Sequence, residues 1–413
     1  MSAAGAELAY PRSGVASRLG RAAGVLTLPV RALVVSRLII LAAGIAGALT
    51  VPRRLDWQAF DPTHLTTRLG ALGDVLAAPA VRWDSIHYLA IAQHGYTRPS
   101  EAVFFPLYPL VIRALGMLVG SDVVAGVLIS VVSMAVALTM LHRLTELELG
   151  RKAADCAVLL IAFAPLSFFI SAVYTEALFL ALSIGSVYAA RRQRWWLAAV
   201  LAGMAAVTRV TGVVLVIPLA IMRLQHSRRL DRGLTSVLLV PAALAGYLAF
   251  TAAKGFGALA PVTEQTGATH QHLLTGPIDT LVLAVRAAFS GVGSLASVPP
   301  YEPSLSGPFS GGAESILLLA VLAISVAALV AACRRLPVAY GAFAATALLV
   351  SVSSPVAGQP LHSLDRYTLT IFPLWMAAGA WLAERRLTRA VGLVGAALLA
   401  FFTFQFATWA FVA

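Results

Sequence analysis

Long apolar runs separated by short polar connections dominate this chain. They predict eleven membrane-spanning helices, at 32–51, 122–141, 154–173, 175–190, 195–208, 210–222, 234–253, 313–332, 336–353, 367–383 and 390–411. A helix needs about 20 apolar residues to cross the hydrocarbon core, and several of these runs are shorter. The pair 195–222 is therefore expected to form a short hairpin. The fold class that follows is an all-α polytopic membrane protein.

Composition agrees with this pattern. The chain is 59% hydrophobic and 12% charged, and its mean hydropathy is +0.85, whereas a soluble domain carries about 25% charged residues. The net charge of +12 would by itself suggest nucleic acid. However, the arginines stand in short clusters between apolar runs, which is the topology signal of membrane proteins. We therefore expect membrane lipid, and no nucleic acid, as a partner.

The basic clusters also assign an orientation. Residues 1–31 are expected to be a basic cytoplasmic amino terminus, and the apolar piece 104–120 to lie at the interface without crossing. Positively charged loops then all fall on the cytoplasmic side, as the positive-inside rule requires. These loops lie at 143–152, 191–194, 223–232, 334–335 and 385–389. A multi-pass protein of the inner (plasma) membrane is predicted, with its carboxyl terminus outside.

The same topology divides the chain into four regions. The cytoplasmic segment 1–31 is followed by an amino-terminal transmembrane module, 32–253, which includes a long external loop at 52–121. A second external loop, 254–312, precedes the carboxyl-terminal helices of 313–413. This second loop is rich in Gly, Pro, Ser and Thr and contains one amphipathic piece, Ile278–Phe289. It is expected to be a lid or an acceptor-binding loop.

The stretch Arg82–Pro109 concentrates Trp, Asp, His, Tyr, Arg and Glu in an otherwise apolar chain. Asp84 within it has two compatible interpretations. It can cap a helix over Ser85–His94 that ends at Gly95, because Asp is favoured at the residue before a helix and Gly at the residue after it. It can also be a general base, because a carboxylate at the boundary of water and lipid can have a raised pKa.

Further polar and aromatic side chains surround Asp84 in the sequence. His87 and His94 share a helix face, but no other residue has the spacing of a zinc site, so no metal is predicted. His87 is instead expected to form a hydrogen bond with a substrate or with Asp84. The aromatic residues either belong to an interfacial belt or stack on a sugar ring. They are Trp83, Tyr88, Tyr96 and Tyr108.

Three later charged residues fall at predicted external helix ends. Glu176, after Tyr174, either binds substrate or caps the helix that follows. Arg209 lies at the turn of the hairpin, and Arg366 precedes a span. The planar guanidinium suits a phosphate at the membrane surface, whereas snorkelling or an ion pair of Arg366 with its neighbour Asp365 would be structural. His362 and Tyr367 are accessory candidates.

Several segments of the chain resemble motifs of the PIG-V family. The segment RWDSIHYLAIAQHGY followed by FFPLYPL is the most specific part. The segments SAVYTEALF, TRVTG and DRYTLTIFPLW are similar to later family motifs, in the same order. The resemblance extends in blocks over about residues 30–385 and indicates a bacterial relative of the second mannosyltransferase of GPI-anchor synthesis.

The resemblance implies a GT-C-like helical bundle and an inverting glycosyltransferase without a cofactor. Such enzymes take a sugar from polyprenyl-phosphate-mannose outside the cytoplasm and transfer it to a glycolipid or protein acceptor. In that scheme Asp84 is the catalytic base and the donor phosphate is bound by Arg209, Arg366 and Tyr367. The substrate-binding residues would be Trp83, His87, Tyr88, Tyr174, Glu176 and His362.

Two other functions remain open from the sequence. A transporter or flippase of a lipid-linked sugar would share this topology and its cationic sites. It would more often carry discontinuous helices and acidic residues at mid-membrane. A GT-C enzyme for another sugar is the second alternative, since the choice of sugar depends on the shape of the pocket.

Overall fold

The computed structural model describes residues 27–50, 61, 65, 70–227, 232–267, 271–273, 275–296, 312–410 and 412. These residues form α-helices joined by turns and short 3-10 segments, with no strand among them and two isolated β-bridges at Val356. The all-α class is thereby confirmed. Most of the predicted segment 1–31 and parts of 52–121 and 254–312 lie outside the described residues, and the four-region division stays a prediction.

Eighteen α-helices occur in the described residues. The first nine are α1 Leu28–Thr50, α2 Gly70–Leu76, α3 Asp84–His94, α4 Leu107–Val119, α5 Asp122–Leu149, α6 Arg151–Ala162, α7 Glu176–Arg191, α8 Trp195–Ala206 and α9 Val216–His226. The others are α10 Arg232–Thr235, α11 Leu239–Ala253, α12 Ala260–Thr263, α13 Pro277–Ala296, α14 Gly312–Arg335, α15 Val338–Ser351, α16 Leu364–Thr368, α17 Phe372–Arg385 and α18 Thr388–Ala407.

Five helical stretches are long and apolar enough to cross a membrane. They are Leu28–Thr50, Asp122–Leu149, Gly233–Ala253, Ala313–Arg335 and Thr388–Ala407. Shorter apolar helices account for other predicted spans, including Trp195–Ala206, Val210–His226 and Val338–Ser351. The predicted span 154–173 is the least regular, because α6 ends at Ala162 and a 3-10 turn follows at Ser167–Ile170. A polytopic membrane protein is confirmed.

Close helix contacts depend on small residues in the bundle. A side chain added at Gly379 of α17 would meet the backbone nitrogen of Ala157 of α6 at 2.7 Å. One added at Gly126 of α5 would meet Val173 at 2.7 Å. Lipid is as apolar as leucine, so helices in a bilayer gain stability from such close packing. Replacement of Gly379 would force α17 and α6 apart, and replacement of Gly126 would displace Val173, which lies in the segment before α7.

The stretch after α3 is anchored by two of the tyrosines whose function was left open. The hydroxyl of Tyr108 is fully buried and lies 2.9 Å from that of Ser130 on α5. The hydroxyl of Tyr96 donates to the carbonyl of Phe104 at 2.5 Å. Both side chains are buried within the protein, so the belt and sugar-stacking predictions are wrong for these two residues. Tyr108 holds α4 against α5, and Tyr96 joins the end of α3 to the segment before α4.

The region 254–312 is partly helical. The amphipathic piece predicted at Ile278–Phe289 belongs to the longer helix α13, which packs along α14. Ile278 and Phe289 are both exposed, whereas Ala284 and Ala288 are buried, as an amphipathic helix requires. A function of this region as a lid or acceptor-binding loop stays a prediction.

Candidate active site

A strained turn positions Asp84. Trp83, just before α3, has a φ of 55°, a conformation that costs a non-glycine residue about 1–3 kcal/mol. The buried guanidinium of Arg82 holds this turn by donating to the carbonyls of Ala78, Val81 and Ala407. Helix α3 begins at Asp84 itself, and Trp83 precedes it. The prediction that Asp84 caps a helix Ser85–His94 is therefore wrong by one residue. The prediction that Gly95 ends this helix is confirmed.

The Asp84 carboxylate is ion-paired with an arginine far along the chain. Arg366 Nη1 donates to Asp84 Oδ2 at 2.8 Å, and Arg366 Nε donates to Glu176 Oε1 at 2.6 Å. Arg209 Nη1 donates to the same Glu176 oxygen at 2.6 Å. The charges therefore alternate in the order Asp84, Arg366, Glu176, Arg209. We call these four residues the charge ladder.

Burial differs along the charge ladder. The Glu176 side chain is 0% exposed and that of Asp84 is 35% exposed. A carboxylate taken out of water costs several kcal/mol unless cations offset it, and Glu176 has two arginines on one oxygen. Its other oxygen, Oε2, is buried without a hydrogen-bond partner. Glu176 therefore positions the arginines, and Asp84 is the carboxylate of the ladder that a substrate can approach.

Aromatic rings support both guanidinium groups. The Arg366 guanidinium lies 4.6 Å from the ring centre of Tyr174 and 5.3 Å from that of Phe169. The Arg209 guanidinium lies 5.6 Å from the ring centre of Tyr367. Cation–π contacts add stability where cations are poorly solvated. Tyr174 is buried, and its hydroxyl donates to the Arg82 carbonyl at 3.1 Å, so it joins Arg366 to the turn that carries Asp84.

The hairpin 195–222 brings Arg209 to the site. The chain turns at Thr208 and Arg209 between α8 and a 3-10 segment, Val210–Leu215, that packs on α8, which confirms the hairpin. A side chain at Gly212 would meet the carbonyl oxygen of Ala205 at 2.2 Å, so only glycine permits this turn. Arg209 Nη1 also donates to Thr175 Oγ1 at 3.0 Å.

Three residues around Asp84 differ in their exposure. His87 is exposed and lies three residues after Asp84 on α3, stacked on Phe104 with ring centres 4.7 Å apart. Residues at this spacing share a helix face, so His87 and Asp84 face the same space. Tyr88 is buried with its ring edge against Phe104. Trp83 is partly buried and makes an edge contact with Trp409.

His362 belongs to the loop before α16. Its Nδ1 lies 3.0 Å from Gln359 Oε1, and Gln359 Nε2 donates to Glu314 Oε2 at 2.8 Å. Burial, with His272 and Arg366 nearby, lowers the pKa of His362 to about 4. The imidazole is therefore neutral at pH 7. It can form a hydrogen bond with a sugar hydroxyl without adding a positive charge to the site.

The structure thus brings Asp84, Glu176, Arg209 and Arg366 into one cluster. The predicted ion pair of Arg366 with the Asp365 side chain is wrong, because Asp365 Oδ1 accepts from the backbone nitrogen of Arg366. Sequence reasoning missed Thr175, Phe169 and the Arg82–Trp409 contact, in which the guanidinium lies 4.8 Å from the indole centre. Only the position of Arg82 beside Trp83 in the most specific motif could have pointed to that contact.

Comparison with known sequences finds a similarity to one family. Residues 35–234 match the family described as mannosyltransferase (PIG-V). Over these residues the chain is similar to the PIG-V family. The match includes Asp84, Glu176 and Arg209, whereas Arg366 lies beyond it. The fourth member of the charge ladder is therefore assigned to the site by the structure.

Individual relatives agree with the family match. The chain is 32% identical over 196 residues to the protein of Rattus norvegicus named GPI alpha-1,6-mannosyltransferase 2. It is 30% identical over 180 residues to the GPI mannosyltransferase 2 of Yarrowia lipolytica. These alignments cover 44% and 42% of this chain and 38% and 46% of the two relatives. The aligned part is thus less than half of either relative.

Proposed function

We propose that this chain is an inverting mannosyltransferase that uses polyprenyl-phosphate-mannose and a hydroxyl acceptor on a glycolipid or protein. The observation that carries the proposal is the partly exposed Asp84 carboxylate bonded to Arg366 at 2.8 Å. A base and a phosphate-binding cation are thus adjacent. The names of the relatives support the choice of mannose.

The proposed reaction is a single displacement. Asp84 accepts the proton of the acceptor hydroxyl while that oxygen forms a bond to the anomeric carbon. The bond from this carbon to the phosphate oxygen breaks, and its electron pair leaves on the phosphate. Arg366 and Arg209 offset the negative charge that develops there. Attack opposite the leaving phosphate inverts the anomeric centre.

The hydrogen bond between Arg366 and Asp84 suggests an order of events. The guanidinium presents several N–H donors in a fixed plane, and Nη1 is used by Asp84 before the donor binds. A phosphate oxygen can replace Asp84 as acceptor of that bond. Asp84 would then be free to receive the acceptor proton only when the donor is in position. The exposed His87 and the neutral His362 would bind sugar or acceptor hydroxyls.

The proposed topology has the amino terminus in the cytoplasm and the site outside the plasma membrane. Helix α7 supports one element of it. Glu176 begins α7 within the charge ladder, and Arg191 ends α7 paired with Glu148 at 2.5 Å. The basic residues 191–194 therefore lie at the opposite end of α7 from the site. Positive charge opposite the site agrees with an external active site.

The decisive experiment measures transfer of label from radiolabelled polyprenyl-phosphate-mannose in membranes. We expect Asp84→Asn to lose about 10²–10⁴-fold of the wild-type rate, the usual contribution of a general base. Asp155→Asn is the matched control, because Asp155 pairs with His142, which lies in the Glu148 half of α5. A folded wild-type protein without transfer would favour the transporter or another sugar, and an active Asp84→Asn would remove Asp84 as the base.

A further inference from the structure

A line of hydrogen bonds leads from helix α14 to His362. Glu314, in the first turn of α14, accepts from Gln359 Nε2 at 2.8 Å. The oxygen of the same amide, Gln359 Oε1, lies 3.0 Å from His362 Nδ1. All three side chains are partly buried, and a hydrogen bond is stronger there than in water. We call these three residues the His362 network.

The backbone holds Gln359 and His362 together. The amide nitrogen of His362 donates to the Gln359 carbonyl at 3.0 Å and closes a turn. Gly358, before the turn, has a φ of 85°, and Ser363, after it, has a φ of 60° and is buried. Side chains rarely adopt such a φ, and residues that do so cluster at functional sites. The turn therefore carries His362 in a fixed place just before Arg366.

The His362 network assigns the proton of the imidazole ring. An ionised carboxylate only accepts hydrogen bonds, so Glu314 takes the NH2 group of the Gln359 amide, and the amide oxygen is left for His362. An amide oxygen also only accepts. His362 Nδ1 must then carry the hydrogen. Because a neutral imidazole has a single N–H, Nε2 is the nitrogen with the lone pair.

His362 lies among the charged groups of the site. Arg366 and Asp84, which bond to each other, both act on the charge of the ring. His272 is a third such neighbour, and burial with His272 and Arg366 nearby keeps the pKa of His362 at about 4. A protonated imidazole can only donate hydrogen bonds, whereas the neutral ring can also accept one. The ring is thus suited to receive the hydrogen of a hydroxyl beside the charge ladder.

We propose that Gln359 is a positioning residue, which holds His362 as the Nδ1–H tautomer so that Nε2 accepts the hydrogen of a sugar hydroxyl. The assignment rests on the proposed function, which brings sugar hydroxyls to Asp84. Glu314 acts one step further away, because it fixes which side of the amide faces His362. The hydroxyl belongs either to the mannose of the donor or to the glycosyl acceptor. A methylated oxygen, which has no hydrogen to donate, would not be bound there.

The ¹⁵N spectrum of histidine-labelled protein in detergent tests the tautomer directly. His362→Gln identifies the His362 signals by their loss. We expect the wild type to be protonated at Nδ1, and Gln359→Met to lose this preference, because a thioether is only a weak hydrogen-bond acceptor. His272 is the internal control, because its Nδ1 lies 2.8 Å from the Ser354 carbonyl oxygen in every variant. A wild-type His362 protonated at Nε2 would overturn the assignment, whatever the activity.

Steady-state kinetics connect the tautomer to substrate binding. Gln359→Met should raise the KM for one of the two substrates about three- to tenfold, the usual effect of one lost hydrogen bond, and leave kcat nearly unchanged. Varying each substrate in turn shows whether the hydroxyl belongs to the donor or to the glycosyl acceptor. Gln225→Met is the matched control, because Gln225 is exposed on α9. Unchanged KM values in Gln359→Met would overturn the proposed contact.

An exchange of two side chains separates positioning from packing. The double variant Glu314→Gln with Gln359→Glu keeps the charge and the direction of the hydrogen bonds, and it places a carboxylate at His362 Nδ1. Its tautomer and KM should match those of the wild type at pH 8. The carboxylate raises the pKa of His362, so on acidification KM should begin to rise at a higher pH than in the wild type. The other groups that face the ring are the same in both proteins, namely Asp84, His272 and Arg366.

The double variant also decides the question if Gln359→Met does not fold, as judged by thermal unfolding in detergent. A double variant with a raised KM at pH 8, or with the pH dependence of the wild type, would contradict the positioning role of Gln359. A wild type with the Nδ1–H tautomer and no transfer would refute the proposed function, and the sugar contact with it.

Discussion

Asp84 and Arg366 are 282 positions apart in the chain, and their side chains meet at 2.8 Å. Asp84 begins a helix in the amino-terminal half, and Arg366 lies on a short helix near the last spans. Glu176 bonds the same guanidinium from the other side at 2.6 Å. The proposed base and the proposed phosphate ligand are therefore one connected unit, and a change in either must affect the other.

Replacement of Arg366 should impair use of the donor more than use of the acceptor. A hydrogen bond to a charged group contributes about 1.5–3 kcal/mol, so Arg366→Lys should raise the KM for the donor roughly 10- to 100-fold. Lysine keeps the charge but cannot bond to Asp84, Glu176 and a phosphate in one plane. Steady-state kinetics with each substrate varied in turn would measure this. An unchanged donor KM would leave Arg366 with a structural function only.

Replacement of Glu176 should destabilise the protein. Glu176→Gln leaves Arg209 and Arg366 in a buried place without their shared anion, and removal of one partner of a buried pair costs about 3–5 kcal/mol. The control is Glu384→Gln, because Glu384 pairs with Arg335 and is 60% exposed. An exposed pair contributes only about 0–1 kcal/mol. Thermal unfolding in detergent should separate the two variants, and equal midpoints would contradict the role of Glu176 as an anchor.

Stability should depend on pH through Asp365. Its folded pKa is raised to about 7, whereas an unfolded Asp has a pKa of about 3.9. Between these values the folded state binds more protons than the unfolded state, so the contribution of Asp365 to stability falls as pH rises from about 4 to about 7. Glu314 and Arg366 are the charged groups that face it.

The variant Asp365→Asn tests this dependence. The amide has no proton to lose, so the variant should unfold at a higher temperature than the wild type at pH 7.5. The gain should shrink toward pH 4, where the wild-type carboxyl is protonated in the folded protein. A constant difference at all pH values would show that the carboxyl does not titrate in this range. Thermal unfolding across buffers of equal ionic strength is the measurement.

The proposed topology places the carboxyl terminus outside. A peptide tag fused after residue 413 should therefore react with an antibody on intact spheroplasts without permeabilisation. A tag inserted in the connection between α7 and α8, at residues 192–194, is the control and should react only after permeabilisation. The reverse pattern would mean that the eleven-span arrangement is wrong. Reaction of both tags in intact cells would contradict it as well.

The helical part of this protein was predictable from local sequence. Apolar runs indicate which residues lie in lipid, so the predicted span 122–141 lies within α5, and 390–407 of the predicted span 390–411 lies within α18. The hairpin 195–222 was also predictable, because each of its arms is too short to cross alone. Gly95 ended α3 as expected. These features depend on neighbours within a few residues of each other.

The side-chain partners were not predictable in this way. Ion pairs among Asp84, Glu176, Arg209 and Arg366 depend on which helix ends meet, and hydropathy carries no information on that. The sequence suggested Asp365 as the partner of Arg366 only because it is adjacent. Tyr174 was predicted to bind substrate, but it is buried under the Arg366 guanidinium. Burial of a polar ring at a helix end is decided by packing from distant segments.

By itself, the sequence determined a polytopic helical membrane protein, its PIG-V-like motifs and the residue types available for chemistry. Hydrophobicity and short motifs are properties of contiguous residues, which is why they could be read directly. Only the tertiary structure decided that Arg366 joins Asp84 to Glu176, that Trp409 packs on Trp83, and that an apolar cavity lies between α14, α17 and α18. Each of these needs residues far apart in the chain to meet, and their meeting is set by the packing of whole helices.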